Sequence, residues 1–301
     1  MSLDAFVSQG WADHAGDALG VMARFPAGIA LVTEVRHLAP FAALVTHVSA
    51  EHLGRYVEGI ALLTGLQKVP LYDARTPEGK AVLRSMAVLH LCAGNLAESA
   101  RCETAAGSGG AFPAASDRIR VLAVASSALA GQHRIEEASA MFSEALALAA
   151  YGPSSADPAA RAMAVTGNNL ASELEQRKPL APRERALMLE AARAGRRFWQ
   201  IAGTWHEVER AEYRLAQSHL AAGDAESAVA HAAHCLAIVE ANGNEPGEAF
   251  FAREVSCLAR RAAGDAAGAT SEREAAAAVL PSIEDAEFRA MCEDALHSLS
   301  R

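Results

Sequence analysis

Aromatic residues make up only 5% of this 301-residue chain, although 51% of its residues are hydrophobic. β-branched residues seldom alternate with polar ones, so the period-two pattern of a half-buried strand is missing. Basic side chains are also in the minority, with 27 Lys and Arg against 36 Asp and Glu, a net charge of −9 and a pI near 5.7. That balance excludes nucleic acid as the main partner. The five cysteines, Cys92, Cys102, Cys235, Cys257 and Cys292, are odd in number and never form a C-x-x-C pair, which argues against a disulfide framework. They read as small apolar core groups in a reducing compartment.

No apolar run approaches the ~20 residues a membrane-spanning helix needs. The first thirty residues contain Asp4, Asp13 and Asp17 and lack the basic-then-apolar order of a secretory signal, so the expectation is a cytoplasmic chain that does not engage membranes. Catalytic signatures are equally thin. There is no H-E-x-x-H and no G-x-S-x-G, and "GSGGAF" at Gly107 lacks the context of a phosphate loop, reading as a flexible connection. Among the eleven histidines, Glu34 and His37 have E-x-x-H spacing, but the only counterpart, Asp294 and His297, lies at the other end of the chain. His231, His234 and Cys235 in "HAAHC" lack a fourth ligand nearby. The expectation is no catalytic residue, no cofactor and no metal.

What the sequence has in abundance is alanine, leucine, glutamate and arginine, which favour helix nearly throughout. Turn signals recur at Gly54, Gly94, His133, Gly223 and Gly264, spaced by 40, 39, 90 and 41 residues. The long gap is two periods of 45, with its midpoint at Lys178 in "RKPLAP", and a weaker turn at Gly16 precedes Gly54 by 38. Seven helical hairpins at one period predict an all-α solenoid.

"HRIEEASAMFSEALALA" sets Ala138, Phe142 and Ala145 at packing positions, and "RLAQSHLAAGDAESAVAHAAHCLAI" does the same with Leu215, Ala216, Ala228, Ala232 and Cys235. On these residues the chain resembles the tetratricopeptide repeat (TPR) family, whose second helix follows A-x3-F-x2-A. The first-helix tryptophan of that pattern is missing. The period exceeds the common one of about 34 residues, and so is similar to the long-repeat variants of kinesin light chains and bacterial sensor regulators. The resemblance implies a right-handed superhelix and a non-catalytic scaffold or adaptor that binds protein or peptide. Two other classes remain open: the sensor portion of a regulatory system taking a signalling peptide or small molecule, and a helical-repeat enzyme with an unrecognised groove site.

A single domain over 1–301 is expected, with divergent hairpins over 1–70, where Pro26 and Pro40 interrupt. The clearest repeats are expected over 80–280, and a capping helix over 282–299. Thr204 and Glu207 form a capping box that starts a helix ended by Gly223. Phe198 and Trp199 read as hairpin core or an aromatic anchor.

The stretch "TGNNLASELE" places Gly167, Leu170, Ala171 and Leu174 on one stripe, and Asn168, Ser172 and Glu175 on another, with Asn169 beside it. A primary amide both donates and accepts, so it can pair with the backbone of an extended peptide. The resemblance implies that first helices face a groove and that Asn168 and Asn169 serve this purpose there. In the next first helix Arg210, Arg214 and Gln217 share a row, with Tyr213 adjacent. Guanidinium groups suit a partner's acidic or C-terminal carboxylate. A surface role for both arginines, neutralising Glu207, Glu209 and Glu212, is the alternative.

Overall fold

The structure, a computed structural model, describes residues 1–107 and 112–299. Most of "GSGGAF" therefore lies outside the described residues. Every regular element among those described is helical, and no strand occurs among them. The order begins α1 (Leu3–Asp13), α2 (Ala18–Ile29), α3 (Leu38–Thr46), a π-helical turn (His47–His52) and α4 (Tyr56–Leu66). It continues with α5 (Pro77–Cys92), α6 (Leu96–Gly107), α7 (Ala114–Gly131), α8 (Ile135–Leu148), α9 (Pro158–Glu175) and α10 (Pro182–Ala202). Then come α11 (Trp205–Ala222), α12 (Ala225–Ala241), α13 (Pro246–Ala262), α14 (Ala266–Val279) and α15 (Ala286–Ser298). All seven turn signals fall between helices, and no helix among those described is long and apolar enough to cross a membrane.

The chain separates into two compact units, Met1–Met163 and Ala164–Arg301. In the first, α5 packs on α6 and α7 on α8 as helical hairpins. Ala138, Phe142 and Ala145 are buried there, as their spacing predicts. The earlier helices surround Phe25 and Phe41, whose rings meet edge to face at 5.8 Å. Pro26 does not interrupt the chain but lies inside α2. It removes one intrahelical hydrogen bond, while burial of Val21, Met22, Phe25 and Gly28 on the same helix offsets the loss. Pro40 sits in the first turn of α3, where a missing N–H leaves no bond unmade.

In the second unit α11 packs on α12, and α13 on α14. Leu215, Ala216, Ala228, Ala232 and Cys235 are all buried. α11 begins at the expected capping box, with Glu207 accepting from the Thr204 N–H at 2.8 Å, and ends at Gly223, whose φ of +79° lies in the left-handed region. The terminal helix starts at Ala286 rather than at 282, because residues Leu280–Ser282 form a 3-10 turn and Asp285 caps the Phe288 N–H at 2.9 Å. Cys292 and Leu299 are buried on its inner face, while Glu287, Glu293 and Asp294 are exposed.

Candidate partner-binding face

Gly167 owes its presence to a helix crossing. A Cβ placed on it would lie 2.6 Å from the Ala191 carbonyl oxygen and the Gly195 nitrogen of α10, and a Cβ on Gly195 would lie 3.0 Å from the Asn168 nitrogen. The two helices thus touch backbone to backbone. Leu170, Ala171 and Leu174 are buried along the same stripe, as expected. With that stripe turned inward, Asn168 and Ser172 are half-buried and Asn169 is exposed. Neither asparagine amide, nor the Ser172 hydroxyl, has a hydrogen-bond partner among the described residues.

The rest of the predicted row is engaged internally. Glu175, one step along from Ser172, accepts a 2.6 Å hydrogen bond from the Ser218 hydroxyl and an ion pair from the Arg214 guanidinium, joining α9 to α11. Burial pushes the Glu175 carboxyl above its ordinary value, with Arg214 acting in the opposite direction. Arg210 pairs with Glu248 of α13. The Tyr213 hydroxyl donates to Glu254 at 2.9 Å and accepts from Gln217 at 3.0 Å. Burial and the Glu254 carboxylate raise the Tyr213 phenol, and burial raises Glu254. The expectation that both arginines await a partner's carboxylate therefore meets an arrangement already filled, by Glu175 and Glu248. Their partners are also not the Glu207, Glu209 and Glu212 of the alternative reading. Local spacing names residues on α11 only, whereas both carboxylates come from neighbouring first helices.

Two of the α11 acids, Glu209 and Glu212, are buried. Glu212 accepts from Arg196 at 2.6 Å and His231 at 2.7 Å; burial opposes its charge, but these two bonds hold its carboxyl below the ordinary range. Glu209 lies against the Cys235 thiol at 2.8 Å, and burial, with the adjacent Glu248, pushes it up to about 8. Cys235 is thus a packing residue, as its repeat position predicts. The His231 and His234 of "HAAHC" instead gather around Glu212. Glu34 and His37 keep company with Asp4, which lies 3.8 Å from His37, and the His297 ring bonds its own helix at Glu293.

Phe198 is fully buried and Trp199 nearly so, which favours hairpin core over an exposed anchor. The face made by α9, α11 and α13 is completed by Glu248, Glu254 and Phe251, which the sequence does not single out, and by Glu175, which it places in the polar row without a role. Phe251 meets Tyr213 edge-on at 6.2 Å.

Helical hairpins recurring near 40 residues, closed on buried alanines, define a TPR-like helical-repeat protein. No family model matches the sequence, and neither does any curated protein. Solved structures similar to this chain include BtubC (BKLC) from P. vanneervenii, at 14% identity over 83% of this chain and 92% of that one, with a TM-score of 0.44. A Podosopora anserina putative kinesin light chain with nearly identical TPR-like repeats matches at 14% identity over 81% and 93%, TM-score 0.33. The TPR domain of P58(IPK) matches at 14% over 99% and 80%, TM-score 0.29.

Proposed function

We propose that the chain is a protein-interaction scaffold that holds an extended peptide along the first-helix face of α9 and α11, with Asn168 and Asn169 pairing with the peptide backbone. The supporting observation is a contrast in hydrogen bonding. Arg210, Tyr213, Arg214 and Gln217 each bond to another side chain of the protein, whereas the amides of Asn168 and Asn169 and the Ser172 hydroxyl have no partner among the described residues. Amides bearing both donor and acceptor on a tightly packed helix are organised for a backbone before it arrives.

The charge of the face refines the partner. Arg214 is largely covered and locked onto Glu175, so it organises the face rather than meeting the ligand. Arg210 is 63% exposed and can exchange Glu248 for a ligand carboxylate, whether an acidic side chain or a C-terminus. Backbone pairing then supplies most of the affinity, and the carboxylate selects register.

Pulldown with the full chain, read by mass spectrometry, identifies the peptide; calorimetry then measures it against the Asn168→Ala/Asn169→Ala double variant. Each lost hydrogen bond is worth about 0.5–1.5 kcal/mol, roughly two- to tenfold in Kd. Unaltered affinity with normal melting would place the binding surface elsewhere. Capture of a small molecule would favour the sensor reading, and turnover the enzyme reading.

A further inference from the structure

We propose that His14, His47 and His52 form a binding site for a borderline first-row divalent cation, zinc(II) or a close relative, with its remaining coordination position open to solvent. The three residues lie in the first unit, whereas the asparagines of α9 belong to the second. Each histidine offers a ring nitrogen, and the three atoms all lie within 4.8 Å of one another. Their rings are mutually packed, with centroids 4.7 to 4.9 Å apart.

The backbone explains how they meet. At 3.6 residues per turn, side chains five apart in an α-helix point about 140° away from each other. His47 and His52 are the first and last residues of the π-helical turn, whose i to i+5 hydrogen bonds bring such a pair onto one face. Their Nε2 atoms stand 3.1 Å apart. Two nitrogens bound tetrahedrally to zinc at 2.0–2.1 Å are about 3.3 Å apart, so this pair already spans one edge of a coordination tetrahedron. His14, capping the end of α1, supplies the third group.

The outer contacts prepare the rings for a metal. The His14 Nδ1 lies 2.6 Å from the Trp11 carbonyl, which can only accept, so Nδ1 carries the proton and Nε2 is left with a lone pair. The His47 Nδ1 lies 3.1 Å from a Glu51 carboxylate oxygen, which sets the same tautomer. A carboxylate or carbonyl behind a ligating histidine orients the ring and strengthens it as a donor. Trp11 lies against the His47 and His14 rings, at 4.9 and 5.4 Å, and shields one side. His52 is exposed and leaves the other side open.

The second cluster, Glu212, His231 and His234, offers two rings rather than three, and its third donor is a carboxylate already in use. Its carboxylate is already neutralised by Arg196, and the His231 Nδ1 is engaged by that same carboxylate. Among the described residues, no lysine or arginine pairs with His14, His47 or His52.

The test uses tag-free full chain stripped with chelator, then titrated with zinc(II) against a chromophoric competitor. One equivalent should bind. Glu51→Gln, which leaves all three ligands in place, should weaken binding roughly 10–100-fold. His52→Ala should weaken it further, and His231→Ala should leave it unchanged. His52 is exposed, so its variant should melt with the metal-free parent. Failure to take up zinc overturns the proposal. So does uptake indifferent to His52→Ala, or uptake abolished by His231→Ala.

Discussion

Arg214 illustrates how much a single side chain can be asked to do. Its guanidinium is the counter-charge of Glu175, whose carboxyl burial already drives upward, and its own Nε is enclosed without a partner. Arg214→Ala would leave Glu175 with only the Ser218 hydroxyl. Stranding a largely covered carboxylate costs about 1–3 kcal/mol, so the variant should show a lower urea midpoint before any ligand is added. Asn168→Ala and Asn169→Ala carry no such penalty, because their amides have no internal partners among the described residues and alanine favours helix. The asparagines are therefore the cleaner probes of binding. A destabilised Arg214→Ala protein would otherwise be misread as a loss of ligand contact.

Among the elements, the α9 and α10 crossing is the most demanding. Replacing glycine by alanine inside a helix ordinarily gains about 1 kcal/mol. At Gly167 the added methyl would press on the backbone of Ala191 and Gly195, atoms that cannot rotate away. The helices would have to separate, and overpacking of this kind costs about 1–3 kcal/mol. Gly167→Ala should accordingly destabilise the protein in denaturant unfolding, against its propensity. A stabilised variant would show that the helices are not held at this distance. The glycine was visible in sequence as part of an apolar stripe, but its reason was not, because Gly195 is 28 residues away and on another helix. The π-helical turn was hidden for a similar cause. The run "HVSAEH" has no local signature, and its two histidines look unrelated while α-helical spacing is assumed.

At the scale of the whole molecule, a net charge of −9 coexists with acids buried in the second unit. Glu209 ties stability to pH. Unfolded, it titrates near 4.5; folded, burial and Glu248 keep it protonated up to about 8. Its contribution is fully present below 4.5 and is lost as pH rises through 8. Glu209→Gln keeps the shape and removes the titration. The stability of the parent relative to this variant should therefore fall as pH climbs across that window, in paired urea unfolding curves. A constant difference would mean that Glu209 titrates normally and is wetter than its burial implies.

The sequence by itself determined the helices, the seven turns and the packing alanines, because these depend on neighbours within a few residues. Gly223 must follow a helix wherever that helix lies, and Ala228, Ala232 and Cys235 share a stripe by helical period alone. The row of Asn168, Ser172 and Glu175 was legible for the same reason. Tertiary structure alone decided which charges are free. Glu175 meets Arg214 across 39 residues, Glu248 meets Arg210 across 38, and Glu254 meets Tyr213 across 41. Those separations are close to one repeat, yet the period says only that neighbouring helices stand side by side. Which side chains touch depends on helix rotation and separation, set here by contacts such as Gly167 on Gly195. The same holds for His14, brought to His47 and His52 by the packing of α1 on α3 and by a turn that departs from the α-helical period.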